Sequence, residues 1–206
     1  MPAGPAVVDG VLLDLGAVRL PLDGGTVCGR PCSLEVEIGA GKGRFLLDWA
    51  QAHPESCFVA VERARKYLLL GAARAARRGL GNVRFVHTTA EDLLFRCLAA
   101  ESVAGVHVYF PDPWPKKRHH KRRFLGPANV RRMAEVLVPG GLLRIKTDHE
   151  GYAEEIAAVL AAEALLEPAD VDDAFAGVPP TSFEVKYEQE SRPVHRWACR
   201  RAGGGG

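Results

Sequence analysis

Leu34-Glu35-Val36-Glu37-Ile38 reads as a strand that runs straight into Gly39-Ala40-Gly41-Lys42-Gly43. The residues after it set Phe45, Leu46, Trp49 and Ala50 on one helical face, and Pro54 ends that helix. Strand, glycine turn and helix in immediate succession commit the chain to an α/β plan, with helices packed on a mostly parallel sheet. Glycines in such a turn let the backbone come close to a ligand. The spacing departs from a dinucleotide fingerprint, which needs a glycine three positions after Gly41; that place is Arg44. Glu37, two residues before Gly39, sits at the carboxyl end of the strand, where it would repel a pyrophosphate and attract a cation. Glu-x-Gly-x-Gly-x-Gly therefore favours S-adenosylmethionine, with its sulfonium and ammonium, over NAD. The alternative is a plain glycine turn joining strand to helix.

The rest of the chain continues the alternation. Residues 58–61 form a second strand ending in Glu62, about 20 residues past the glycines, where an acid is placed to accept ribose hydroxyls. Pairing with Arg63 or Arg65 is the simpler role. An Ala- and Leu-rich helix over 65–78 stops at Gly79, and 82–87 reads as a third strand. It leads to Thr88-Thr89-Ala90-Glu91-Asp92, a loop that in this plan reaches an adenine, or whose acids open a helix. A strand over 106–110, a helix over 127–137 and a strand over 142–146 follow, the last ending in Thr147-Asp148. Asp148 reads as an acid on the same sheet edge as Glu37 and Glu62, or as the cap of a helix over 150–166. Residues 168–180 read as a loop, and 181–187 with 194–199 as a closing antiparallel pair. Residues 1–30 are rich in Gly and Pro, with 11–13 and 18–20 as a candidate hairpin, and 203–206 read as a flexible tail.

Between the fourth strand and its helix lies Phe110-Pro111-Asp112-Pro113-Trp114-Pro115-Lys116-Lys117-Arg118-His119-His120-Lys121-Arg122-Arg123. Three prolines in five residues exclude helix and remove backbone donors, so the segment is a stiff loop. It holds one acid, Asp112, and an indole, Trp114, and then six Lys or Arg residues with two His. A braced carboxylate beside a dense cationic run suits a nucleobase site. The cations would hold phosphate and the acid would accept from a guanine edge. A solvated charge run after a turn is the plainer reading.

Charge distribution sharpens this. Of 27 Lys and Arg, 6 fall in residues 116–123, which leaves 21 against 25 acids elsewhere although the whole chain is +2. A basic patch on a mildly acidic body favours a local polyanion contact over general stickiness. At 206 residues the chain reads as a single domain, 1–206, able to bury a core without staples. No apolar run approaches the roughly 18 residues of a membrane span, and the N-terminus lacks a secretory pattern, so a cytoplasmic protein is expected. The five cysteines, Cys28, Cys32, Cys57, Cys97 and Cys199, then read as reduced thiols. Cys28-x-x-x-Cys32 has no second ligand pair of matching spacing, so no metal is expected.

Glu37-Ile38-Gly39-x-Gly41-x-Gly43, the segment from Phe110 to His119, Thr147-Asp148 and Thr181-x-Phe183-Glu184 occur in the order and spacing of one family. Together they resemble the bacterial tRNA (guanine-N7-)-methyltransferases of the TrmB type over about residues 30–187. The resemblance implies a Rossmann-like class I methyltransferase fold. Its sheet would be mostly parallel and seven-stranded, with an antiparallel C-terminal strand. The implied reaction moves a methyl group from S-adenosylmethionine to N7 of guanine at position 46, in the tRNA variable loop. Residue by residue, it implies cofactor contacts from Glu37, Gly39, Gly41, Gly43, Glu62, Thr89 and Asp112, with Asp112 also the catalytic acid. Lys116, Asp148, Thr181, Phe183 and Glu184 would bind substrate, and Lys117, Arg118, His119, Lys121, Arg122 and Arg123 the tRNA backbone. Two departures stand out. Thr89 replaces the Asp or Asn that the family usually has before Ala90, and Glu190-Ser191-Arg192 stands where a Gly is usual. The rival classes are a non-catalytic RNA-binding protein on a methyltransferase scaffold and a methyltransferase for another RNA. Monomer and homodimer are both open.

Overall fold

The structure, a computed structural model, describes residues 10–203. The tail at 204–206 and residues 1–9 lie outside the described residues. One sheet of seven strands runs through the molecule in the order β3-β2-β1-β4-β5-β7-β6. The strands are β1 (Leu34–Ile38), β2 (Cys57–Val61), β3 (Val83–Val86), β4 (Val103–Tyr109), β5 (Leu137–Thr147), β6 (Leu166–Pro168) and β7 (His195–Arg201). The first five are parallel, and β7 runs antiparallel to both β5 and β6. Helices cross between them: α1 (Gly24–Cys28), α2 (Arg44–Ala52), α3 (Arg65–Arg77), α4 (Ala90–Asp92), α5 (Pro127–Val136), α6 (Glu150–Ala162), α7 (Val171–Ala174) and α8 (Ser182–Gln189).

Alternation along the strands divides the core in two. Val36, Ile38, Val59, Val61, Val106, Val108, Leu143 and Ile145 point to one face and pack with α5 and α6. Phe58, Ala60, Val83, Phe85 and Tyr109 point to the other and pack with Phe45, Trp49, Leu68 and Ala72 of α2 and α3. Burying a large apolar side chain of this kind contributes about 1.5–3 kcal/mol. The second face also carries the polar residues of three adjacent strands: Glu35 and Glu37 on β1, His107 on β4, and Arg144 and Lys146 on β5. Part of that layer is satisfied internally. The Glu35 carboxylate lies 2.7 Å from His107 Nε2 and accepts from Trp49 Nε1 at 3.2 Å.

Strand order reverses between β1 and β4, so their carboxyl ends open one crevice. The glycine turn leaves β1 there, and the proline loop leaves β4 beside it.

Several expectations are corrected. Residues 181–187 are not a strand but the start of α8, because Thr181 and Glu184 form a reciprocal capping box. The partner of β7 on its outer side is the three-residue β6. Residues 11–13 do not form a hairpin with 18–20; Leu12 instead bridges Phe85 in parallel along the edge of β3. The 168–180 loop contains the short α7. Cys28 and Cys57 form a disulfide between α1 and β2, while Cys32, Cys97 and Cys199 are free.

Candidate active site

The glycine turn is built by backbone sign. Gly39, Gly41 and Gly43 have φ of 76°, 55° and 71°, a region an L side chain rarely enters. The turn is pinned to β2, since Gly39 and Ala40 both donate to the Val61 carbonyl, at 2.9 and 3.0 Å. Among the described residues a Cβ on Gly39 or Gly41 would meet nothing within 4 Å, so both face open space there. At Gly43 it would stand 2.8 Å from Phe85 Cζ, so that glycine serves the packing of α2 on the sheet.

Two acids border this crook in different states. Glu62 accepts from Gly41 N–H at 2.9 Å through one oxygen and from Ala64 N–H at 2.6 Å through the other. Each oxygen keeps a second lone pair, so the carboxylate can still take hydroxyl donors. Glu37 is 5% exposed, and among the described residues its Oε2 has no hydrogen-bond partner. Burial, and then the neighbouring Glu62 charge, push the Glu37 carboxyl up to about 8, with Lys146 opposing. A buried acid without a partner costs free energy unless something cationic completes it. With open glycine backbone beside it and Glu62 on the rim, the donor set fits a ligand that carries an ammonium or sulfonium together with ribose hydroxyls. Thr89 is otherwise engaged. Its hydroxyl accepts from Asp92 N–H and donates to Asp92 Oδ2, both at 3.0 Å, as the N-cap of α4. Glu91 and Asp92 are first-turn acids of that helix.

The proline loop is held in an uncommon shape. Phe110 and Trp114, which bracket Asp112, have φ of 53° and 43°. Left-handed backbone at a bulky residue costs roughly 1–3 kcal/mol and persists only where the surroundings impose it. Arg123 does much of the imposing. It donates to the Pro113 carbonyl at 2.8 Å and the Gly151 carbonyl at 3.1 Å, pairs with Glu155 at 2.7 Å and lies over the Tyr152 ring. Its side chain is 4% exposed, so it is not on the cationic surface where the sequence put it. Residues Lys117–Arg122 form a 3-10 helix that leaves Lys116, Lys117, Arg118, Lys121 and Arg122 exposed. His119 packs edge-on against Trp114, and the Arg122 guanidinium lies 5.0 Å from the centre of the same ring. The indole thus folds the basic turn back on the proline loop. Asp112 itself is exposed, on the loop between them.

The third wall comes from β5 and α8. Asp148 follows β5 directly and pairs with Arg192 at 2.8 Å. It does not cap α6; His149 does, accepting from Tyr152 N–H at 3.2 Å. Thr181 is buried as the cap of α8, Phe183 is 51% exposed, and Glu184 pairs with Lys146 at 2.7 Å. Phe183 leans on Phe110 and Tyr187, with ring centres 5.6 and 5.9 Å away, so α8 packs directly on the residue that starts the proline loop. Burial, and then Asp148, raise the Tyr187 hydroxyl above its ordinary value. Lys146, Arg192 and Tyr187 were not singled out from sequence. In the strand, Lys146 alternates with Leu143 and Ile145 on the same side as Arg144, and nothing local to it points to a partner.

Comparison with known proteins identifies the architecture. The model of a family described as "Putative methyltransferase" matches residues 32–197. A tRNA (guanine-N(7)-)-methyltransferase of Mycobacterium avium is 42% identical over 177 residues, which is 84% of this chain and 68% of that protein. One from Nocardia farcinica is 48% identical over 146 residues, 71% of this chain and 54% of that protein. The chain belongs to the tRNA (guanine-N7-)-methyltransferase family. Among solved structures, the 16S rRNA methyltransferase KamB covers 85% of this chain and 91% of its own with a TM-score of 0.63. At 20% identity it supports the fold alone. A Thermotoga maritima S-adenosylmethionine-dependent O-methyltransferase gives 0.57 over 84% of this chain and 61% of its own, at 14% identity. The methyltransferase fold is therefore that of the seven-stranded sheet with its antiparallel β7. Among the described residues no His, Cys, Asp or Glu cluster could hold a metal ion, and no helix is long and apolar enough to cross a membrane.

Proposed function

We propose that the protein transfers a methyl group from S-adenosylmethionine to N7 of a guanine in tRNA, at position 46 of the variable loop, in the cytoplasm. The observation that carries this reading is the meeting of two unlike half-sites at the reversal of strand order: the acid-rimmed glycine crook after β1 and the braced, cation-flanked Asp112 loop after β4.

Glu37 would hold the positive end of the cofactor, Glu62 its ribose, and the open backbone of Gly39 and Gly41 its body. Bound there, the cofactor supplies a methyl group on a positively charged sulfur. Guanine N7 has a free in-plane lone pair, so the acceptor needs no prior loss of a proton. The work left to the protein is orientation and electrostatics. Asp112 would accept from the guanine N1 and N2 donors and so fix the turn of the base. Thr181, Phe183, Glu184 and Asp148 would form the opposite wall, with Phe183 offering an exposed ring. Turning the base out of its stack costs about a few kcal/mol. Phosphate contacts from Lys116, Lys117, Arg118, Lys121 and Arg122 would offset it.

The test is to incubate the protein with unmodified tRNA and methyl-labelled cofactor, then cleave the RNA chemically at 7-methylguanosine. Cleavage confined to the variable loop is expected. Methyl transfer to another base, or none while the cofactor binds, would overturn the reading.

A further inference from the structure

Lys146 is 3% exposed, on the last row of β5, and has no role in the reading above except as a neighbour. Its ammonium lies 2.7 Å from Glu184 Oε1 and stands over the rings of Tyr109 and Phe175, 4.7 and 4.9 Å from their centres. Glu184 uses its other oxygen to accept Thr181 N–H at 2.8 Å, while Thr181 Oγ1 accepts Glu184 N–H at 3.1 Å. One buried cation therefore fixes the carboxylate that closes the capping box of α8, and the box sets where the Thr181–Glu184 segment stands. Within α8 only Tyr187 is buried; it and Phe183 rest on the Phe110 ring, and the Lys146–Glu184 pair ties the helix to β5.

The same ammonium also acts on Glu37, opposing the rise in its proton affinity. Lys146 is thus paired with Glu184 and lies two strands from Glu37, with β4 between them.

We infer that Lys146 is a positioning residue, which docks the Thr181–Glu184 wall against the cofactor crook by holding Glu184. This deepens the proposed function and rests on it for the identity of the substrate; the docking itself can be measured without any substrate. Breaking a buried pair on one side strands the other charge, whereas removing both partners avoids that penalty.

The experiment compares wild type, Lys146→Met, Glu184→Gln and the double variant by two readouts. Amide hydrogen exchange of the protein alone should rise in residues 181–189 in Lys146→Met while the exchange of β1, β2 and β4 stays as in wild type. In tRNA methylation, Lys146→Met should lower kcat/KM for tRNA by about two orders of magnitude. Cofactor affinity should stay within about tenfold. The double variant should be no slower than the worse single one. Unchanged exchange in 181–189, or losses that multiply in the double variant, would overturn the docking role. A wild-type protein that methylates no tRNA while the exchange result holds would overturn the proposed function and leave the docking role standing.

Discussion

Glu37→Gln should stabilise the unliganded protein and weaken its cofactor. In the unfolded chain the carboxyl titrates at the ordinary 4.5, and in the fold burial and then Glu62 push it up to about 8. A raised acid pKa means that the fold prefers the protonated form. Stability is then highest below pH 4.5 and falls as pH rises from there to about 8, beyond which it is level. At pH 7 the difference between 4.5 and 7 amounts to about 3 kcal/mol held against folding by this one group. Gln keeps the shape and the unpartnered polar end but cannot ionise, so the penalty vanishes. For a chain of this size, about 3 kcal/mol corresponds to roughly 6–12 °C in Tm. The same change removes a charged acceptor from the ligand, which costs about 1.5–3 kcal/mol, or roughly a 10- to 150-fold weaker Kd. The assay is thermal unfolding of both proteins from pH 5 to 8.5, with titration of S-adenosylmethionine in buffers of different ionisation heat. The Tm curves should converge toward pH 5 and separate toward pH 8, and wild type should release close to one proton on binding near neutral pH. Parallel curves, or a variant less stable at pH 8, would refute the reasoning about Glu37.

Three further outcomes follow from the same geometry. Asp112→Ala should lower turnover at least about 100-fold, by loss of base orientation, while cofactor Kd stays within about threefold; near-normal turnover would remove Asp112 from the mechanism. Ser191→Gly should stabilise the protein by about 1 kcal/mol, since Ser191 sits at φ 50° just past α8; a chemical denaturation midpoint that does not move would contradict it. With five exposed cations in the basic turn rather than six, log Kd for tRNA should change with log salt at a slope of magnitude about 4, and a flat dependence would remove the turn from the interface.

What was legible in the sequence was what local chemistry decides. The crook could be read because its glycines answer a backbone sign, and Glu37 because a carboxylate before such a turn has few plain uses. Glu190-Ser191-Arg192 stood out only through the family resemblance, as a departure from glycine, and within it Ser191 is left-handed. The capping box at Thr181 and Glu184 is equally local, yet residues 181–187 read as one strand of a closing antiparallel pair. A two-sided hydrogen-bond signature at the start of the segment makes it helical instead. Other features depend on partners distant in sequence. Arg123 looks like its cationic neighbours until Gly151 and Glu155 enclose it. Lys146 gains a role only because Glu184 arrives from 38 residues away. Cys57 meets Cys28 only once α1 packs beneath β2.

In the proposed reaction the crevice between β1 and β4 presents guanine N7, and no other atom, to the methyl group. This is tested most directly by changing that atom alone. A tRNA assembled with 7-deazaguanosine at the target position keeps the base-pairing edge that Asp112 would hold and replaces N7 by a carbon. Normal binding of this tRNA with no methyl transfer is expected, against full transfer to the unmodified one. Methylation of the 7-deaza tRNA at the same rate would contradict it.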